Sequence, residues 1–203
     1  MKALLCTPQP QISSVPYVFW DPEKPAEQPG CFSVEQCRAL IKTFHSDLLP
    51  KMPGILMDGP NPNYRSVTKA EVPFAESYAW VYEKILQAVY QTNQHWWRFD
   101  ITGIEQNFEI LRYTKNKDFY DKHIDWHGEL QYPRKLSVVI QLSDPYRYQG
   151  GDTFLYTSRE PAVLCKHQGS INVFPSFYLH EATPVKKGVR YALVGWITGP
   201  QWK

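Results

Sequence analysis

Two histidines and one aspartate in the second half of the chain have the types and spacing of a metal site. His123 and Asp125 are one residue apart in a predicted strand, 119–125, so their side chains point to the same face. His180 lies 180 − 125 = 55 residues beyond Asp125, just past the predicted strand 170–174, and the strands between can return it to the same end. Two histidines and a carboxylate form the facial triad of non-haem Fe(II). We therefore predict that His123, Asp125 and His180 bind Fe(II).

Arg190 strengthens this prediction. It follows His180 by 190 − 180 = 10 residues and lies in the predicted strand 189–197, where Arg190, Ala192, Val194 and Trp196 share one face. A buried arginine on a strand face requires an anion. A dicarboxylate whose other end chelates the iron would supply it. The alternative is a structural ion pair inside the sheet, but beside a metal triad we favour the anion-binding role.

The elements that must position these residues change in character along the chain. Ser33 has the pattern of a helix N-cap, and an apolar stripe after it predicts a first helix. A long loop, 48–72, precedes a second helix from Pro73 to about Thr92. Two helices followed by about eight strands predict an α+β fold with a double-sheet β-roll. The predicted strands are 96–101, 105–113, 119–125, 136–142, 153–156, 162–166, 170–174 and 189–197.

Composition limits the classes of function. The chain has 203 residues, and 22 Lys+Arg against 20 Asp+Glu give a net charge of +2, without the basic footprint of a nucleic-acid partner. The 10 Phe, 7 Trp, 13 Tyr and 17 Pro favour a β-rich domain. No stretch reaches the roughly 18 apolar residues of a membrane span, and the apolar start is too short for a signal peptide. We therefore predict a cytoplasmic chain without a membrane partner; the sequence does not indicate its oligomeric state.

The cysteines and the common nucleotide motifs point away from other chemistries. Cys6, Cys31, Cys37 and Cys165 show no C-x-x-C spacing, so we interpret them as free thiols; a Cys31–Cys37 disulfide requires export. The sequence contains no G-x-G-x-x-G, P-loop or G-x-S-x-G motif.

A set of motifs in fixed order resembles a known family. The segments are YDKHID (120–125), LSVVIQLSDP (136–145), GGD (150–152), GSINVFPS (169–176), HEATPV (180–185) and GVRY (188–191). They resemble the Fe(II)- and 2-oxoglutarate-dependent dioxygenases of the prolyl-4-hydroxylase type, in particular the bacterial PKHD-type hydroxylases. The resemblance covers the last hundred residues densely. Upstream, YRSVT (64–68) is similar to the family's Arg-Ser/Thr segment at the substrate mouth.

The resemblance implies a fold and a role for each matching residue. The fold would be a double-stranded β-helix (jelly roll) backed by N-terminal helices: one domain, 1–203, with an arm (1–30), a helical support (31–95) and a jelly-roll catalytic core (96–203). Catalysis would fall to His123, Asp125, His180 and Arg190, with Arg190 on the distal carboxylate of 2-oxoglutarate. The other expected cosubstrate contacts are Tyr113, Gln141 and Trp196. The expected substrate contacts are Arg65, Tyr120 and His127, with His127 facing substrate or solvent rather than iron.

The implied reaction hydroxylates an unactivated C–H bond, foremost that of a prolyl residue in a peptide or protein, and releases succinate and CO₂. It uses Fe(II), 2-oxoglutarate as cosubstrate and O₂, with ascorbate as a reductant. One alternative is a hydroxylase of a free amino acid or small natural product. Another, from a different class, is a non-catalytic jelly-roll binding module.

Overall fold

The computed structural model describes residues 3–4, 26–28, 30–54, 61–114, 118–126 and 131–202. Two α-helices, α1 (Val34–His45) and α2 (Ala79–Trp96), and two short 3₁₀ turns (Glu76–Tyr78 and Pro145–Arg147) accompany sixteen strands in this part of the chain. The strands are β1 (Ala3–Leu4), β2 (Ala26–Gln28), β3 (Lys51–Pro53), β4 (Arg65–Ser66), β5 (Thr68–Val72), β6 (Gly103–Ile104), β7 (Phe108–Thr114), β8 (Phe119–His123), β9 (Arg134–Gln141), β10 (Gln149–Gly150), β11 (Thr153–Tyr156), β12 (Ala162–Val163), β13 (Ile171–Pro175), β14 (Leu179–Ala182), β15 (Val185–Lys187) and β16 (Val189–Thr198).

Two antiparallel sheets form the body of the protein. The larger sheet has the strand order β2-β13-β9-β16-β7-β5-β3, and β1 and β6 attach to it beside β16. The smaller sheet has the order β12-β11-β14-β8-β4, and β10 pairs with β15 separately. Among the described strands the two sheets do not pair with each other, and a cleft lies between them. This arrangement confirms the predicted α+β class with two sheets.

The two helices cover one face of the larger sheet. Alternate residues of β7 and β16, such as Ile110 and Leu193, are fully buried beneath them. The opposite face carries Leu111 and Tyr113, which belong to a separate cluster. Because side chains alternate along a strand, each central strand contributes one row to the helix-covered core and one row to the cleft.

The first helix begins where the sequence predicts. Ser33 Oγ accepts a hydrogen bond from the Gln36 backbone N–H at 3.2 Å, and Gln36 Oε1 accepts one from the Ser33 N–H at 2.9 Å. This reciprocal capping box satisfies two of the helix's unpaired donors. Cys37, Leu40 and Phe44 then form the buried stripe of α1.

The predicted strand 96–101 is wrong. Helix α2 continues through Trp96, and the chain then turns tightly, with Arg98 at a positive φ of 51°. The Asn93 side chain holds this turn: its amide donates to Phe99 O at 2.9 Å and its oxygen accepts from Phe99 N–H at 3.0 Å. These bonds occupy backbone groups that a strand would use for pairing. Helix α2 also begins later than predicted, after the 3₁₀ turn.

Nine of the sixteen strands, most of them short, lie outside the predicted strands. The segment 48–72, interpreted as a loop, contains β3, β4 and β5, so the predicted helical support supplies strands to both sheets. His180, predicted just past a strand end, lies within β14. The predicted arm contributes β1 and β2, which pair with β6 and β13; its other residues up to 29 lie outside the described part.

Three cysteines are free thiols, as predicted: Cys31, Cys37 and Cys165. Burial raises the pKa of Cys37 to about 12 and that of Cys31 to about 11. Cys6 lies outside the described residues.

Within the described chain, neither helix combines the length and the apolar character needed to cross a membrane.

Gly195 provides a test of how tightly the core packs behind the cleft. A Cβ added at this position of β16 would lie 1.7 Å from Phe108 Cδ1. Because overpacking a dense core forces neighbours off their rotamers, we expect Gly195→Ala to lower the free energy of unfolding by about 3 kcal/mol. Urea denaturation measures this change. In the double variant with Phe108→Leu the losses should be less than additive, and additive losses would contradict the contact.

Candidate metal centre

The two histidines of the predicted triad face each other across neighbouring strands. His123 ends β8, and the register of the smaller sheet places it directly opposite His180 in β14. Asp125 lies two residues beyond His123, just past the end of β8, and is 7% exposed. One ligand atom from each of the three side chains lies within 4.8 Å of the other two. The structure therefore brings together three residues that the sequence separates by up to 57 positions (180 − 123 = 57).

Backbone carbonyls fix the orientation of both imidazoles. His123 Nδ1 lies 2.7 Å from Asp121 O, and His180 Nδ1 lies 3.0 Å from Tyr178 O. A carbonyl oxygen only accepts, so each Nδ1 carries a proton, and Nε2 is the ring nitrogen left for another partner. The two Nε2 atoms lie 3.6 and 3.4 Å from the two oxygens of Asp125. This tautomer and orientation are those of metal-binding histidines, and two imidazoles with one carboxylate fit Fe(II).

The charges of the triad are strongly coupled. Burial, with a further contribution from His180, lowers the pKa of His123 to about 3 and keeps this imidazole neutral. Burial opposes ionisation of Asp125, but the charge and hydrogen bond of His180 hold the pKa of this carboxyl well below its usual range. Burial likewise disfavours the His180 cation, yet Asp125 raises the pKa of His180. The centre thus contains a buried carboxylate that requires a positive partner, and a divalent cation meets that requirement.

A cleft of about 490 Å³, including its open mouth, surrounds the triad. Arg190, Ala192, Val194 and Trp196 line one wall, so the four residues predicted to share a face of β16 do so. Other apolar residues of the lining are Leu111, Val138, Val139 and Ala182. Mostly apolar walls with a few convergent polar groups are typical of a site for a small ligand.

Arg190 is 4% exposed and is held by neutral partners. Its Nε donates to Gln141 Oε1 at 3.2 Å, and its Nη2 donates to Thr153 Oγ1 at 3.1 Å. Gln141 Nε2 in turn donates to the hydroxyl of Tyr148 at 2.9 Å. The alternative expected from sequence, an internal ion pair, is not found for Arg190 among the described residues. A buried guanidinium therefore remains available to an anion in the cleft.

The other predicted cosubstrate residues lie at different positions relative to Arg190. The ring of Tyr113 lies 5.3 Å from the Arg190 guanidinium, and burial raises the pKa of Tyr113 against the opposing effect of Arg190. Trp196 lines the cleft. Gln141 contacts Arg190 rather than the cleft itself, so any effect on a ligand would pass through the arginine. Their roles toward a cosubstrate stay predictions.

Two of the predicted substrate residues form a stack above the triad. The ring of Tyr120 lies 3.4 Å from the His123 ring at an interplanar angle of 14°. The guanidinium of Arg65 lies 4.6 Å from the centre of the Tyr120 ring, and its Nη2 is 3.8 Å from Glu109 Oε2. Arg65 and Tyr120 both line the cleft. His127, the third predicted substrate residue, lies outside the described part of the chain.

Sequence reasoning missed several supporting residues. Thr153 bonds Arg190, and Ser137 Oγ donates to Asp125 Oδ2 at 2.7 Å. Arg134 lies 3.6 Å from the centre of the Trp196 ring and donates to Gln106 Oε1 at 2.5 Å. The sequence could have indicated Ser137. It lies on the same face of β9 as Val139 and Gln141, so it is a polar residue in the row that faces the cleft. The contacts of Arg134 and Thr153 depend on distant strands and left no such signal.

The family comparison agrees with this geometry. The model for the 2OG-Fe(II) oxygenase superfamily matches residues 108–198, a range that contains the whole triad and Arg190. The matched segment, 91 of the 203 residues, is similar to 2OG-Fe(II) oxygenase domains. The resemblance predicted from the motifs is thereby confirmed for this part of the chain.

The relatives and solved structures that this chain resembles include PKHD-type hydroxylases and prolyl hydroxylases. A PKHD-type hydroxylase of Synechococcus elongatus is 29% identical over 121 residues, which are 57% of this chain and 53% of the relative. The chain thus spans about half the length of the curated relative it matches. A prolyl-4-hydroxylase of Pseudomonas putida aligns with a TM-score of 0.66 and 20% identity, over 85% of this chain and 91% of that one.

A third comparison supports the same fold. A prolyl hydroxylase of Trichoplax adhaerens aligns with a TM-score of 0.68 and 18% identity, over 85% of this chain and 80% of that one. Likeness at such low identities establishes the fold rather than the substrate. The chain therefore has the predicted jelly-roll fold, with its two sheets open at the cleft.

Proposed function

We propose that this oxygenase hydroxylates an unactivated C–H bond, using Fe(II), 2-oxoglutarate and O₂, and that its substrate is a prolyl residue in a peptide or protein. The observation that carries the reaction class is the combination in one cleft of the triad, with both Nε2 atoms directed to Asp125, and the buried Arg190. Neither feature alone would distinguish a metal site from a structural polar cluster.

Each residue has a defined task in this proposal. His123, Asp125 and His180 would hold the iron, and Arg190 would bind the distal carboxylate of 2-oxoglutarate through a charge-assisted pair. Gln141 and Thr153 orient the guanidinium through the bonds described above. Bound iron with its cosubstrate and O₂ supplies the oxidising chemistry, with succinate and CO₂ as products. The apolar wall formed by Ala192, Val194 and Trp196 limits the access of water to the reacting groups.

A peptide substrate is supported by the relatives and by the cleft. The Trichoplax enzyme was solved with a peptide fragment of the oxygen degradation domain of hypoxia inducible factor. In this chain, Arg65 and Tyr120 line the cleft beside His123, where they can contact the substrate; His127 stays a predicted contact. The second candidate is a free amino acid or small natural product. The cationic Arg65, which lines the cleft, can pair with the carboxylate of such a ligand.

The proposal also extends to the reductant and to the location of the protein. Ascorbate as the reductant that keeps the iron ferrous follows from the resemblance alone. A cytoplasmic location is supported by the free thiols of Cys31 and Cys37, since disulfides persist in oxidising compartments.

The test combines binding with turnover. Anaerobic addition of Fe(II) and 2-oxoglutarate to the metal-free protein is expected to give a weak visible charge-transfer band, which a chelator such as EDTA removes. Succinate release is then measured against proline-containing peptides, free amino acids and oligonucleotides, with mass spectrometry to detect one added oxygen. Release with the peptides supports the proposal, and release with amino acids alone supports the second candidate. Folded protein that gives no band would contradict the reaction class.

A further inference from the structure

Two buried serines connect to the carboxylate of the triad. Ser137 Oγ lies 2.7 Å from Asp125 Oδ2, and Ser176 Oγ lies 3.0 Å from Ser137 Oγ. Ser137 is 1% exposed and Ser176 is fully buried. Ser176 also accepts, at its backbone oxygen, the N–H groups of Asp125 and Trp126, both at 2.9 Å. Asp125 is thus held at two points. Ser176 accepts from its backbone N–H, and Ser137 donates to its carboxylate.

The chemistry of the three groups fixes the direction of the hydrogen bonds. An ionised carboxylate only accepts, so the single hydroxyl proton of Ser137 goes to Asp125 Oδ2. Ser137 Oγ then has no proton left for Ser176, and the Ser176 hydroxyl must donate to it. The result is a one-way chain from Ser176 to Ser137 to Asp125. Hydrogen bonds in such a chain polarise one another, so the bond at the carboxylate is strengthened by the one behind it.

This hydroxyl chain joins the two sheets at the metal centre. Ser137 lies in the middle of β9 in the larger sheet, between Phe174 of β13 and Trp196 of β16. Asp125 follows β8, and His180 lies in β14, both in the smaller sheet. Ser176 begins the connection that leads from β13 to β14, and its N–H donates to Lys135 O at 3.0 Å. The rotation of the Asp125 side chain is therefore set from the larger sheet, across the cleft.

We propose that Ser137 and Ser176 are positioning residues of the iron site, which fix the rotation of the Asp125 carboxylate through Oδ2 and leave Oδ1 directed toward His123. This role rests on the proposed function, since it concerns the same metal. Residues that orient the ligands of a metal contribute to its affinity without touching it, and their loss typically weakens binding 10- to 100-fold. A merely structural pair of serines would contribute to stability and leave the affinity unchanged.

Metal binding by the protein without cosubstrate provides the test. Co(II) is titrated into the metal-free protein, and its visible absorption reports both affinity and ligand geometry. For Ser137→Ala we expect a dissociation constant about 10- to 100-fold higher, with a changed spectrum. For Ser176→Ala, which keeps the direct bond to Asp125, we expect a smaller increase of about threefold. Ser137→Thr keeps the hydroxyl and should restore most of the affinity.

Ser143→Ala is the matched control. Ser143 is also buried, but its Oγ accepts the Tyr191 backbone N–H at 2.7 Å, away from the triad. This variant should melt at a lower temperature with Co(II) affinity unchanged. Folded Ser137→Ala that binds Co(II) within twofold of the unaltered protein would overturn the positioning role. If Ser137→Ala does not fold, unchanged affinity in Ser176→Ala overturns it instead. Failure of the unaltered protein to bind Co(II) or Fe(II) would contradict the proposed function itself.

Discussion

Replacing Asp125 by alanine is expected to abolish iron binding and, with it, 2-oxoglutarate turnover. Asp125 is the anionic member of the triad, and its removal leaves two buried imidazoles without a charge to balance a divalent cation. Losing one strong ligand of a protein metal site weakens binding by about 4 kcal/mol, roughly a thousandfold. Anaerobic titration with Fe(II) measures the affinity, and succinate release measures the turnover.

A second substitution at Asp125 separates the effect of its charge from that of its bulk. Asp125→Asn keeps the shape and one oxygen but removes the negative charge, so it should bind Fe(II) almost as weakly as the alanine variant. Asp144→Ala is the matched control, because Asp144 caps the 3₁₀ turn Pro145–Arg147 and pairs with the exposed Arg147. It should bind Fe(II) as the unaltered protein does. A folded Asp125→Ala variant with unaltered Fe(II) affinity would place the metal elsewhere.

The parts of the site that the sequence predicts depend on local geometry. A strand places residues two apart on one face, and this rule alone grouped His123 with Asp125 and aligned Arg190 with Trp196. The structure finds both groups around the same cleft. The capping box at Ser33 is equally local, since its hydrogen bonds span three residues.

The parts that the sequence does not predict depend on pairing between distant segments. Strand β5 pairs with β7 about forty residues later, so its own short sequence reads as part of a loop. Thr153 and Arg190 are 37 positions apart, and Ser137 and Ser176 are 39 apart. These contacts follow from strand register, which one sequence does not specify. The error at Phe99 has a local cause instead. The side chain of Asn93 bonds the backbone of Phe99, and this turn prevails over the β propensity of the aromatic run.

The second large effect is expected at Arg190. Arg190→Ala should raise the KM for 2-oxoglutarate about 100-fold and leave Fe(II) affinity nearly unchanged. The reason is that the distal carboxylate would lose a charge-assisted pair worth about 3 kcal/mol in a buried site. Arg190→Lys keeps the charge but replaces the planar fork of five donors by three, so at most one N–H group remains for a carboxylate once Gln141 and Thr153 are bonded. We expect an intermediate increase of about tenfold, measured by succinate release at varied 2-oxoglutarate.

Arg112 offers a control in the same sheet. It lies next to Tyr113 on β7, but its guanidinium is on the helix-covered face, 5.8 Å from the centre of the Phe44 ring. Arg112→Ala should therefore destabilise the protein while leaving both the KM for 2-oxoglutarate and the Fe(II) affinity unchanged.

The comparison of these variants distinguishes a ligand contact from a structural cation. If Arg190 acts on the cosubstrate, its loss changes the KM far more than the Fe(II) affinity, and high 2-oxoglutarate restores much of the turnover. If Arg190 only supports the cleft, its loss should weaken Fe(II) and 2-oxoglutarate binding together and lower the melting temperature, as Gln141 and Thr153 lose a buried partner. The buried guanidinium with two neutral partners predicts the first result, because a cation withdrawn from water without a carboxylate is costly unless a ligand supplies one.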